Sequence, residues 1–193
     1  MGQAKHRKKE LEKFVLSLSK EEQIVFDLSK KTYERVICEH NLKGACYHMT
    51  YFLKMILRKK YGIETTAVIG FVNDGTDDIL YSHGWLEYED KKIDLAVAKP
   101  NFGDIFGPVL ILDYKFQEHG SSEYSYYREM NAAGELAIQR LIEDDPRAKT
   151  LAEYKQQEHN FMVEISKSEE QIMSYLNNIP NGYTYSKLVN LLS

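Results

Sequence analysis

Three side chains in this sequence could make and break an acyl bond. Cys46 stands at the head of "CYHMTYFLKMILRK", where Met49, Phe52, Leu53, Ile56 and Leu57 recur at helical spacing. The spacing predicts an amphipathic helix with the thiol at its N-terminal tip. His83 follows 37 positions later, inside "ILYSHGWLEY", and Asp94 another 11 positions on, inside "IDLAVA". Both segments read as strands, joined by the turn "EDKK". A turn at Glu89 and Asp90 sets His83 opposite residue 96 and makes Asp94 its diagonal neighbour. Such diagonal neighbours stand about 7–8 Å apart, within reach of side chains.

Each residue type has a job in that arrangement. A free thiol is mostly protonated at neutral pH, with a pKa of about 8.5. The unsatisfied N–H groups and dipole of a helix N-terminus favour the thiolate, and an adjacent imidazolium favours it further. His83 is the expected proton donor to a leaving group. Asp94 is the expected carboxylate that orients its ring, and the Cys46 N–H a donor to an oxyanion. Gly44, two residues earlier, leaves room for a substrate. Trp85 shares a face with His83 and is expected either to stack on a substrate or to fill core.

The segments that position these groups are legible in outline. Ser19 and Glu22 form a capping box before an apolar-periodic run that ends at "EHNLKG". Gly62 ends the Cys46 helix. Strands are expected over Ile63–Val72, Ile79–Tyr88, Ile93–Ala98 and Val109–Phe116. "KPNFGDIFGP" reads as irregular and "EHGSSEYSYY" as a polar loop. Tyr124, Tyr126 and Tyr127 within that loop are expected to line a groove or to pack the loop down. Helices are expected from Glu129 to Glu143 and from Ala148 to His159. "NFMVEIS" then reads as a strand. Ser166 and Glu169 read as a second capping box, and "SKLVNLL" as a final helix. The order is helical, then β, then helical, so the expected class is α+β. It divides into a basic, flexible arm with a helix start (1–18), a catalytic core (19–127) and a mainly helical extension packed on that core (128–193).

At this point the sequence resembles the transglutaminase-like, papain-related cysteine fold. The resemblance rests on "GACYHMTYFLKMILRKKYGIETTAVIGFV", "SHGWLEYEDKK" and "IDLA", in that order, and covers Gly44 to Pro100. It implies a papain/transglutaminase-like core, with N-terminal helices on an antiparallel sheet. It also implies Cys46 as nucleophile, His83 as general acid and base, Asp94 as orienting acid, and acyl transfer through a thioester. The family that the sequence resembles includes peptidases and arylamine acetyltransferases. The flanks, Met1–Lys43 and Asn101–Ser193, carry no resemblance, so a peptide or protein amide is expected as substrate without a sharper identity. The alternative is a binding protein that keeps the fold without turnover.

Composition narrows the rest. A chain of 193 residues with 43% hydrophobic and 28% charged residues suits one soluble domain. The net charge of −4 speaks against nucleic acid as a partner. Two cysteines, no apolar leader and no run of about 18 apolar residues point to the cytoplasm and away from a membrane. Cys46 and His48, like Cys38 and His40, are isolated Cys-x-His pairs with no second pair at a matching distance. No metal and no cofactor are therefore expected. Cys38 is expected to be a structural, buried thiol. His48 lies two positions past Cys46, on another face of the helix, and is expected at the surface or the site rim.

Overall fold

The computed structural model describes residues 2–97, 107–117, 123–180 and 182–193, with side chains from residue 5 onward. Ser19 opens the architecture: its side chain accepts from the Glu22 N–H, and the Glu22 carboxylate accepts from the Ser19 N–H at 2.7 Å. This reciprocal cap starts helix α2 (Lys20–Thr32), whose last turns widen to π geometry over Tyr33–Cys38. Before it lies helix α1 (Gly2–Ser17). The basic arm, expected to be flexible with a helix start, is helical over Gly2–Ser17, and near its C-terminal end Phe14 stacks on Tyr114 at 4.4 Å. Phe14 also meets Phe26 edge-on at 5.9 Å, and such contacts with distant rings are not visible in a run of lysines.

Helix α3 (Cys46–Ile56) continues in π turns through Tyr61 and ends at Gly62, whose φ of 70° is left-handed. Strands β1 (Thr66–Asn73), β2 (Tyr81–Tyr88) and β3 (Lys91–Asp94) follow. The expected strand Val109–Phe116 is a hairpin instead, β4 (Val109–Ile111) and β5 (Tyr114–Gln117), turning at Leu112 and Asp113, both at positive φ. Strand β6 (Ser125–Tyr127) arises inside the expected tyrosine-rich loop. The six strands form one antiparallel sheet in the order β5-β4-β3-β2-β1-β6. Residues 98–106 of the irregular stretch and 118–122 of the loop lie outside the described residues.

Helices α4 (Ala132–Asp144), α5 (Arg147–Ser166), α6 (Glu169–Asn177) and α7 (Tyr185–Leu191) complete the chain. "NFMVEIS" is the end of α5 and no strand. His159, Met162 and Ile165 fall on one helical stripe and are buried together, and that stripe overrides local β propensity. Ser166 is the last residue of α5, so the cap of α6 is Ser168, which accepts from the Gln171 N–H. The chain is thus α+β, with helices flanking an antiparallel sheet.

The core lies between α3 and one sheet face. Met49, Phe52, Leu53 and Ile56 meet Ile69, Leu86, Ile93 and Ile111 there. The C-terminal helices close the far side of α3: Tyr51 donates to the Met162 carbonyl at 2.5 Å, and Ile172, Leu176 and Leu188 are fully buried in the same cluster. Gly84 lets α3 come down on β2, because a Cβ at that position would stand 3.0 Å from the Tyr47 ring and 3.4 Å from Thr50 Oγ1. Gly84→Val adds two further methyls at this contact. It is expected to destabilise the protein by about 1–3 kcal/mol, the usual cost of overpacking, with equilibrium urea unfolding as the measurement.

Candidate active site

Cys46 is the first residue of α3, and Ala45 before it supplies no side-chain cap. The first-turn N–H groups therefore face the thiol's surroundings without a capping oxygen from Ala45. The thiol is partly exposed. Met49, Thr50, Leu53, Gly84 and the Ile93–Ala96 stretch pack around it. Gly44, exposed and at φ 60°, turns the chain into the helix.

The β2–β3 turn falls at Glu89 and Asp90, with φ of 46° and 63°, the pattern of a two-residue primed turn. The register pairs Glu87 with Lys92 and Leu86 with Ile93. Asp94 is thereby diagonal to His83, as the spacing predicts. The hairpin is pinned to α2 by Tyr88, which donates to Glu21 at 2.9 Å, and by the Lys91–Glu22 ion pair.

His83 Nε2 donates to Asp94 Oδ2 at 2.7 Å. Tyr126 donates its hydroxyl to the same oxygen at 2.8 Å. The other oxygen, Oδ1, accepts from the backbone N–H groups of Ala96 and Val97 at 3.2 and 3.3 Å. Asp94 is 1% exposed, so this buried carboxylate is held by four donors rather than by water. Burial works to lower the pKa of His83. The Asp94 carboxylate and the Cys46 thiol outweigh it, each by charge and as a side-chain hydrogen-bond partner, and raise the value to about 10. Asp94 and His83, named from separate segments, are therefore hydrogen-bonded in the folded chain through Nε2, and the Cys46 thiol lies near enough to help raise the His83 pKa.

Trp85 is 1% exposed. Its indole N–H donates to Glu87 at 2.9 Å, and its ring meets Tyr126 edge-on at 5.1 Å. It is a packed wall beneath the site, with no free face for a substrate to stack on. Gly70 makes room for it: a Cβ there would lie 2.7 Å from the indole and 2.4 Å from the Tyr127 carbonyl. Cys38 is exposed rather than buried, because it falls at the end of the α2 π turns. His48 is buried rather than at the rim. Helix α6 covers that face of α3, Tyr175 standing edge-on to the imidazole at 6.3 Å, and burial lowers its pKa to about 4.

Tyr126 is the site residue the sequence concealed. It reaches Asp94 only because β6 pairs with β1, setting Val72 opposite Tyr126, and no short spacing announces that pairing. Burial first, then the Asp94 charge, raise its pKa, so the phenol remains a donor.

No family model, no curated protein and no solved structure matches this chain. No described helix is long and apolar enough to cross a membrane.

The His83 shift has a consequence for stability. The unfolded ring titrates at about 6.5 and the folded one at about 10. Protonated His83 therefore stabilises the fold fully below pH 6.5, less and less from 6.5 to 10, and not above. Asp94→Asn removes the chief cause of the shift. Unfolding free energies measured from pH 6 to pH 10 are expected to show a gap between wild type and this variant that narrows as pH rises. A gap that is constant across the range contradicts the assignment.

Proposed function

We propose that the protein is a thiol-dependent acyl hydrolase or acyltransferase of the transglutaminase-like, papain-related type, acting on amide or ester bonds of a peptide or protein. The observation that carries this reading is the buried His83 ring, held by Asp94 on Nε2 and with its pKa raised by both Asp94 and the Cys46 thiol. A structural histidine needs one partner. This one has an anchored carboxylate and a helix-tip thiol, which is the geometry of nucleophile, base and orienting acid. The α+β order and the helix-on-sheet packing are compatible with a papain-like core and add support at the level of fold only.

The chemistry follows from those positions. The Cys46 thiolate attacks the carbonyl carbon, and the oxygen takes up the negative charge near the uncapped N-terminus of α3. His83 in its protonated form gives the proton to the departing nitrogen or oxygen as its bond to carbon breaks, leaving a thioester on Cys46. Water or an amine then attacks the thioester while neutral His83 accepts its proton, and the thiolate leaves. Asp94 stays ionised throughout and holds the ring.

Alkylation tests the reading without a substrate. Cys38 is the more exposed thiol, so accessibility alone predicts that it reacts first. An activated Cys46 reverses that order. At pH 6 to 7, iodoacetamide followed by mass spectrometry is expected to modify Cys46 at least about tenfold faster than Cys38, and His83→Ala is expected to abolish the difference. Two sluggish thiols would instead leave the reading of a binding protein without turnover.

A further inference from the structure

The thiol sits on a helix and the imidazole on a strand 37 positions later, and no disulfide ties the two elements together. The surface between those two elements is smooth where they touch. Gly84 presents no side chain to α3, which gives close approach but no interlock. The interlock comes from the residues immediately beside the two reactive groups. Tyr47 follows Cys46, Ser82 precedes His83, and their hydroxyls are 2.7 Å apart. Ser82 Oγ is in turn 2.5 Å from Nδ1 of His159, on α5. We propose that Tyr47, Ser82 and His159 form a positioning brace that holds Cys46 and His83 in register, with the C-terminal helices supplying its fixed end. This inference rests on the function proposed above.

The brace has a direction. Burial lowers the pKa of His159, which favours the neutral ring with Nδ1 as an acceptor. Ser82 then donates to His159, and the Tyr47 phenol donates to Ser82. Burial, the largest cause, raises the pKa of Tyr47 and keeps it a phenol. His159 is itself immobilised: it is 8% exposed, and its ring lies flat on Phe71, with centroids 4.4 Å apart at 22°. Phe71 pairs with Ser82 across β1 and β2, so the stack and the hydrogen bond fix the same point of the sheet. Two members of the brace, Tyr47 and Ser82, are each one residue from a reacting group. Displacement of a reacting group by even an ångström can cost about two orders of magnitude in rate.

The test uses the full-length protein and the rate of Cys46 alkylation by iodoacetamide from pH 5 to pH 9. Tyr47→Phe and Ser82→Ala each remove one oxygen from the brace. His159→Phe removes the acceptor and keeps a flat ring against Phe71. His159→Asn returns an acceptor near the Nδ1 position. The first three are expected to slow Cys46 alkylation at pH 6 about tenfold and to move its midpoint toward that of a free thiol, about 8.5. The Tyr47→Phe/Ser82→Ala pair should cost no more than either alone. His159→Asn should recover part of the loss, and Cys38 should react at its wild-type rate throughout. Folded variants whose Cys46 profile overlays that of wild type overturn the brace. So does an equal change at Cys38, which would report general loosening. A wild-type Cys46 that is sluggish at pH 6 sinks the catalytic reading itself, a result distinct from fast wild type with unaffected variants.

Discussion

A buried carboxylate organises this molecule. Asp94 is 1% exposed, and a buried charge is tolerated only when its lone pairs are filled. Two backbone N–H groups just after β3 fill one oxygen, and His83 and Tyr126 fill the other. Four donors from three parts of the chain must therefore converge, and the sheet order that brings β6 to β1 and β3 to β2 is what makes them do so. Loss of any one donor leaves an anion short of partners. The arrangement of strands and the electrostatics of the site are for this reason one constraint.

That constraint also explains the direction of the histidine's titration. Burial alone would make His83 a weak base, as it does for His48, whose pKa falls to about 4 under α6. Of the three imidazoles buried among the described residues, His48 and His159 fall by burial while His83 rises, because His83 faces the Asp94 carboxylate. The contrast shows that desolvation does not decide the direction at His83. Its own charge is held by Asp94 through Nε2.

How much of this was legible in the sequence depends on range. The capping box at Ser19, the helix at Cys46, the meander of β1 to β3 and the Glu89–Asp90 turn are local, and the residues that make them are adjacent or a few positions apart. The diagonal of His83 and Asp94 followed from counting along one hairpin. What escaped reading was set by contacts between distant segments. Phe14 on Tyr114 turns a basic run into an anchored helix. The stripe of His159, Met162 and Ile165 is helical because it has a sheet and a helix to lie against, although "NFMVEIS" alone looks extended. Tyr126 looked like one tyrosine among several, because the pairing of Val72 with Tyr126 spans more than fifty residues. His48 was misplaced for the same reason: the face of α3 it occupies is covered by a helix from the other end of the chain.

Two of those misreadings, the His159 stripe and His48, share a source in the C-terminal helices, and this says something about their part in the fold. α5 lies against β1, stacks His159 on Phe71 and receives the Tyr51 hydroxyl on the Met162 carbonyl. α6 buries His48, and α7 is tied to α2 by Lys31, which donates to the Leu192 carbonyl. Helices α2 and α3 thus have neighbours on both sides, the sheet on one and the extension on the other. A helix gripped from one side only can rock on a sheet, all the more where a glycine makes the contact smooth. Gripped from both, α3 has a defined height and azimuth over β2. The position of its first residue, the thiol, is then a property of the whole chain rather than of the half that carries the recognisable pattern.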